Sequence, residues 1–164
     1  MSIEATGGGT ILDRIIERRD EERRLRKGWK LRIGEDDAVL EHNRQGTMRW
    51  YLYPGDGSAS NSLIFYRYEI PPHSRTGKQK VQGNLVAFPL TGHGRVLIGD
   101  REHTWSAEDL IALPPLQEGH EFQIMNDSDD TAKVLVCQPN FHDLFGIDQG
   151  SGFEQLEDAP EEGR

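Results

Sequence analysis

The chain has 164 residues, a mass of 18.6 kDa and a hydrophobic content of 35%, enough for one folded core but not for two. Its net charge of −9 argues against general nucleic-acid affinity, which needs a basic surface. No apolar run approaches the roughly 20 residues of a membrane span, and no secretion-signal pattern opens the chain. We therefore expect a cytoplasmic protein in which the single cysteine, Cys137, is a buried thiol.

The N-terminal part of the sequence predicts a helical arm. Residues 1–9 end in three glycines and are expected to be disordered. Thr10 and Asp13 have the spacing of a capping box, and four apolar residues follow at helical spacing, namely Ile11, Leu12, Ile15 and Ile16. The charged run that comes next ends at Gly28, so the arm spans residues 10–28. It either covers the barrel described below or contacts another subunit, and its arginines favour a solvated face or a subunit contact over nucleic acid.

Residues 29–140 have the sequence pattern of a single β domain. The turn signal Gly99-Asp100 lies between two short strands, and residues 126–130 form a second turn cluster. Short strands without intervening helices predict a sandwich or a closed barrel. The expected strands are residues 48–53, 62–70, 84–90, 94–98, 101–105, 110–113, 121–126 and 132–138.

Residues 141–164 are expected to form a docking segment followed by an acidic, extended tail. Phe153 and Leu156 are the apolar residues expected to anchor this tail. The pattern leaves open whether they dock onto the chain's own barrel or onto a partner.

The central part of the chain resembles the conserved-barrel pattern of the cupin superfamily. Gly92 matches the glycine that ends the first cupin motif. Glu108-Asp109 matches the Gly-Asp that opens the second motif, with glutamate in place of glycine, and residues 99–105 match the segment between the motifs. The resemblance implies a mainly β fold, a jelly-roll cupin barrel preceded by the helical arm.

The resemblance also assigns the positions that hold a metal in many cupins. Counted back from Gly92, the first-motif ligand positions carry Gln79, Val81 and Leu85. The second-motif position carries Phe122 or, with an insertion, His120. An amide is a poor metal ligand and hydrocarbon side chains donate nothing. We therefore expect no metal and no catalytic residue in this chain, with His120 as the only possible ligand.

A barrel without ligands resembles the metal-free small subunit of hydroquinone 1,2-dioxygenases. This resemblance implies a non-catalytic subunit of an aromatic-ring dioxygenase complex, with Fe(II) and substrate held by a larger catalytic cupin. The interface candidates are Ile11, Leu12, Ile15, Ile16, Phe153 and Leu156.

The alternative is a stand-alone cupin that binds or converts a small aromatic molecule, alone or as a homodimer. Its pocket candidates are Tyr66, Tyr68, Phe88, His120 and Gln123, although small barrels also need aromatic residues simply to fill the core. A dioxygenase with an atypical metal site at His120 is a further hypothesis.

Overall fold

In a computed structural model, residues 9–25, 32–54, 62–140 and 153–163 are described. They form one helix, α1 (Ile11–Leu25), and eleven strands, with short 3-10 turns at Glu35–Asp37 and Glu161–Gly163. The strands are β1 (Val39–Asn43), β2 (Gly46–Leu52), β3 (Leu63–Ile70), β4 (Lys78–Val81), β5 (Leu85–Thr91), β6 (His93–Ile98), β7 (Arg101–Ser106), β8 (Ile111–Leu113), β9 (His120–Asn126), β10 (Ala132–Pro139) and β11 (Phe153–Glu157).

The strands form two antiparallel sheets that face each other. The first sheet has the order β1-β2-β3-β10-β5-β8 and the second has the order β11-β4-β9-β6-β7. Their inner faces share one apolar core, to which the first sheet contributes Tyr68 and Val134 and the second contributes Phe122 and Ile124. The predicted mainly β barrel with an N-terminal helix is therefore confirmed.

Helix α1 begins as its sequence predicts. The backbone N–H of Thr10 donates to Asp13 Oδ2 (2.8 Å), and the N–H of Asp13 donates to Thr10 Oγ1 (3.2 Å), which is a reciprocal capping box. The apolar stripe of the helix remains in contact with solvent, since Ile11 is 70% exposed and Ile15 is 60% exposed. Within the described residues, no helix is long and apolar enough to cross a bilayer.

Three strands were not predicted from the sequence pattern: β1, β4 and β11. Of these, β11 changes the interpretation of the tail most, because it pairs with the edge of β4 along Phe153–Val81 and Gln155–Gln79. This segment of the tail therefore docks onto the chain's own barrel and completes its second sheet. The other docking residues expected from the sequence, within 141–152, lie outside the described residues. The same holds for residues 1–8, for which disorder was predicted, and for the end of the arm at 26–28.

The turn residues that match the cupin motifs have conformations that explain their type. Gly92 has φ +89°, and a Cβ there would lie 2.8 Å from the Cβ of Ala132, so a side chain is excluded. Glu108, which replaces the motif glycine, keeps a left-handed φ of +72°. Asp109 holds the same turn because its Oδ2 accepts a hydrogen bond from the N–H of Ser106 (2.7 Å). The Gly99-Asp100 hairpin joins β6 to β7 as predicted.

Candidate functional site

The four positions that hold metal ligands in many cupins lie inside the barrel. Gln79 pairs with Phe122 across β4 and β9, Val81 lies on the same face two residues later, and Leu85 begins β5 in the opposite sheet. All four side chains are buried, but Val81, Leu85 and Phe122 belong to the apolar core. One amide and three hydrocarbon side chains do not suit a divalent cation.

His120 lies opposite Val81 and shares the strand face of Phe122. Its Nε2 lies 3.1 Å from the carbonyl oxygen of Pro114. A carbonyl only accepts, so Nε2 carries the proton in this contact and cannot bind a metal at the same time. Within the described ranges, no three His, Cys, Asp or Glu side chains converge as a possible metal site. The residues present therefore do not fit the metal that the cupin pattern implies.

A cavity of about 380 Å³ opens at one end of the barrel interior, beside Gln79. Its walls come from the β1–β2 turn and from strands β2, β3, β4, β10 and β11. The apolar and aromatic walls are Met48, Trp50, Ile64, Tyr66, Tyr68 and Phe153. The polar groups are amides, from Asn43, Gln45, Gln79, Gln138 and Gln155. The cavity is thus an aromatic chamber with neutral polar groups.

A chain of hydrogen bonds orients the amides of this cavity. Gln155 begins the chain, because its Nε2 lies 2.8 Å from the carbonyl oxygen of Glu157 and 3.3 Å from that of Arg44. Carbonyl oxygens only accept, so the NH₂ group of Gln155 must face them and its Oε1 must face the barrel interior. There Oε1 accepts a short hydrogen bond from Nε2 of Gln45.

The orientation of Gln45 then determines the role of Tyr68. Because Nε2 of Gln45 is committed to Gln155, its Oε1 faces Tyr68 and accepts the phenolic hydrogen over 3.3 Å. The oxygen of Tyr68 is left as an acceptor, and Nε2 of Gln79 donates to it over 3.5 Å. The remaining polar atom of Gln79 is its carbonyl oxygen. The backbone around β11 therefore fixes the donor and acceptor pattern across the chamber.

The aromatic walls form a stacked cluster along the inner face of the first sheet. The rings of Trp50 and Tyr66 lie 4.9 Å apart at 50°, and those of Tyr66 and Tyr68 lie 5.2 Å apart, nearly perpendicular. Burial raises the pKa of Tyr66 to about 12. Burial and the neighbouring Tyr66 raise the pKa of Tyr68 well above its ordinary value. Both phenols therefore stay protonated at physiological pH.

The described lining of the chamber offers no free charge to a ligand. Arg44 is its one charged lining residue, and the guanidinium Nε donates to Asp158 Oδ1 at 2.8 Å. A charged ligand would lose its hydration here, and the one charge in the described lining is already paired with Asp158. The chamber therefore suits an uncharged molecule.

The structure brings together only some of the pocket residues predicted from the sequence. Tyr66 and Tyr68 line the chamber as expected, whereas His120 does not. Phe88 was predicted to face inward and is 38% exposed on the outer face of β5, because its buried neighbours Ala87 and Pro89 take the inner positions. That prediction is wrong.

Gln123 is also absent from the chamber lining. It is buried, but it follows Phe122 directly and so lies on the other face of β9, where its Nε2 donates to the carbonyl oxygen of Thr76 (2.8 Å). Sequence reasoning missed Gln45, Trp50 and Gln155 as lining residues. The alternation of side chains along β2 could have identified Trp50, since Met48 and Trp50 lie on the same face of the strand.

Comparisons with known proteins support the fold and not a specific activity. No protein-family model matches the sequence, and no curated protein matches it significantly. Among solved structures, a cupin-2 domain protein of Rhodospirillum rubrum is similar, with a TM-score of 0.58 and 12% identity over 82% of this chain and 84% of that one.

Two enzymes of Streptomyces are similar at the same level. One is a nucleoside dehydratase, whose variant with uridine has a TM-score of 0.57 and 14% identity over 81% of this chain and 96% of that one. The other is the polyketide cyclase RemF of Streptomyces resistomycificus, with a TM-score of 0.54 and 19% identity over 68% and 80% of the two chains. At these identities the likeness establishes the cupin barrel alone.

Proposed function

We propose that this chain is a metal-independent cupin that binds a small, uncharged aromatic molecule in the chamber beside Gln79. The observation that carries the proposal is the composition of the chamber walls, which combine aromatic rings with oriented amides and no free charge. The chamber volume of about 380 Å³ is within the range of small-molecule sites. The binding would depend on ring packing and on hydrogen bonds to Tyr68 and Gln79.

The neutrality of the ligand follows from the cost of desolvation. Tyr68 and Gln79 are almost fully buried, so any group that replaces water beside them leaves a high-dielectric environment. An uncharged hydroxyl, amide or carbonyl loses little in this transfer when it finds a hydrogen-bond partner. A carboxylate or ammonium would lose much more.

The aromatic character of the ligand follows from the walls. Trp50 and Tyr66 present ring surfaces to the same chamber, and Met48 adds a polarisable thioether beside them. Flat rings pack against such surfaces with little loss of conformational freedom. The uridine in the similar dehydratase structure is a molecule of this general kind, neutral with a flat ring bearing amide-like edges.

Isothermal titration calorimetry tests the proposal with chelator-treated protein and three neutral probes: phenol, hydroquinone and uridine. At least one probe is expected to bind, with an affinity about tenfold lower in Tyr68→Phe and in Gln79→Leu, because each change removes a hydrogen-bonding group. Phe88→Leu is the matched control, since Phe88 lies on the outer face. Binding of benzoate but of none of the neutral probes would contradict the proposal, as would an equal loss in the control.

A second candidate function is supported by surfaces that the fold leaves exposed. Ile11 and Ile15 of α1 are largely exposed, and the outer face of β5 exposes Phe88 as well. Such apolar surfaces on one small chain are typical of protein interfaces. They support the role of a non-catalytic subunit in an aromatic-ring dioxygenase, with Fe(II) held by a larger cupin partner.

Size-exclusion chromatography of the chain with a larger cupin encoded beside it tests this second function. A stable complex is expected, weakened in the double variant Ile11→Ser/Ile15→Ser but not in Glu21→Ser, which changes the charged part of the same helix. Failure to form a complex would contradict the subunit role. A homodimer lost in the Ile11→Ser/Ile15→Ser variant would assign the helix face to a second copy instead.

A further inference from the structure

The inner face of the first sheet extends past the chamber along its edge strand. Val39 on β1 pairs with Trp50 on β2, and Glu41 pairs with Met48. Residues paired across two strands share a face of the sheet, so Val39 and Glu41 continue the surface that lines the chamber. The order of strands in the first sheet places β1 at its edge, and Val39 is 48% exposed there.

This extension forms a second cavity, of about 310 Å³, which we call the outer groove. It is lined by Val39, Glu41, Trp50, Tyr53 and Pro54. Trp50 and Pro54 also line the chamber, so the two cavities adjoin along these two side chains. A molecule bound in the chamber therefore has the outer groove as its neighbour.

Trp50 lines both cavities and is held in place by its neighbours. Its Nε1 donates to Glu41 Oε2 at 2.9 Å, and the centroid of its ring lies 4.9 Å from that of Tyr66 and 6.5 Å from that of Tyr53. Because the same Glu41 oxygen also accepts from Asn43 Nδ2 at 2.8 Å, the carboxylate is engaged by two donors. The surface that the groove offers a ligand is therefore mainly apolar.

We propose that the outer groove binds an apolar substituent of the same molecule whose polar ring occupies the chamber. The ligand class is a neutral ring with hydroxyl or carbonyl groups on one side and a second ring or a hydrocarbon chain on the other. This inference rests on the proposed function and specifies its ligand. The continuity of the groove with the chamber across Trp50 and Pro54 is what supports it.

The segment directly after Pro54 is poor in apolar residues. Residues 55–61 read Gly-Asp-Gly-Ser-Ala-Ser-Asn, so the segment has no apolar side chain larger than alanine. An apolar surface made by Val39, Tyr53 and Pro54 would gain little from such residues.

Titration calorimetry with hydroquinone and phenylhydroquinone tests this inference on the full chain. Phenylhydroquinone is expected to bind about tenfold more tightly, because its second ring leaves water. In the double variant Val39→Ser/Tyr53→Ser this advantage is expected to disappear, while the affinity for hydroquinone itself stays within about twofold. Leu40→Ser is the matched control, since Leu40 is the next residue on β1, equally exposed, and faces away from the groove.

The possible results separate the groove from the chamber. If hydroquinone binds but the phenyl group adds nothing, or adds the same in the double variant, the groove inference is wrong and the proposed function stands. If neither hydroquinone nor phenylhydroquinone binds, the groove inference is wrong, and the proposed function is then decided by phenol and uridine. If light scattering shows a dimer that the double variant converts to monomer, the groove is filled by a second copy and the inference is overturned.

Discussion

The side-chain amide of Gln45 donates a hydrogen bond to Oε1 of Gln155, which lies 110 residues later in the sequence. This contact joins the β1–β2 turn to the last strand and closes one side of the chamber. Because two backbone carbonyls fix the amide of Gln155, the contact also determines which way Gln45 and Tyr68 point their hydrogens. Strand β11 therefore helps to form the chamber in which we propose that a ligand binds.

Replacement of Gln155 by leucine tests this role of the last strand. Gln45 is almost fully buried and would lose its acceptor, so the free energy of unfolding is expected to fall by about 1–3 kcal/mol. Ligand affinity is expected to fall as well, since Tyr68 is no longer held as a donor towards Gln45. Urea denaturation and calorimetry measure the two effects. Glu154→Gln is the control on the same strand, and an equal loss in that variant would show that β11 matters only as a strand.

The two buried tyrosines predict a loss of stability in alkaline solution. Tyrosine in the unfolded chain ionises near pH 10, whereas burial raises the pKa of Tyr66 to about 12 and shifts Tyr68 in the same direction. Above pH 10 the unfolded state releases protons that the folded state retains. The free energy of unfolding should then fall by about 1.4 kcal/mol per pH unit for each phenol. Below pH 10 both states keep these protons, so the two phenols cause no pH dependence there.

Urea midpoints measured from pH 8 to pH 12 test this slope. The double variant Tyr66→Phe/Tyr68→Phe has no buried phenol to ionise at these positions and is expected to show a flatter profile than the unmodified chain. Tyrosinate absorbance provides an independent readout, because two phenols should remain protonated until the protein unfolds. Identical slopes for the two proteins would mean that Tyr66 and Tyr68 already ionise normally in the folded state.

Two glycines in turns of the barrel are expected to differ in how strongly they resist replacement by alanine. Gly83, between β4 and β5, has φ +94°, and a Cβ there would lie 2.1 Å from the carbonyl oxygen of Pro114. Gly99 has φ +64° with no atom within 4 Å of the same position. Gly99→Ala should therefore lower the free energy of unfolding by about 1–2 kcal/mol, from backbone strain alone. Gly83→Ala should lower it by more than about 4 kcal/mol, because the new Cβ also meets the backbone. Thermal denaturation of the two variants measures these losses. Equal losses of stability would contradict the conclusion that Gly83 is crowded and Gly99 is not.

Local signals in the sequence were sufficient for several elements of the fold. The capping box at Thr10 and Asp13 and the Gly99-Asp100 hairpin depend on residues close together in the chain, so their patterns report them directly. Strand β4 was missed because Lys78–Val81 is short and contains two lysines, which are poor strand formers. It exists because β9 and β11 pair with it on both sides.

The site was less predictable than the fold. The misassignment of Phe88 arose because an alternating pattern does not say which of its two faces is inside, and here Ala87 and Pro89 are the buried residues of that strand. Gln155 could not be recognised because its role depends on a partner 110 residues away. Tyr66 and Tyr68 line the chamber, and their position could be predicted because they lie on a strand rich in aromatic residues.

We propose that this barrel binds a neutral aromatic molecule without a metal. The most direct test measures, on the same purified chain, its iron, manganese, nickel and zinc content and its affinity for the best neutral probe before and after chelation. We predict well under about half an equivalent of metal, an affinity that chelation leaves unchanged, and no effect of His120→Ala on either. About one equivalent of metal, lost together with ligand binding on chelation or in His120→Ala, would contradict metal-independent binding.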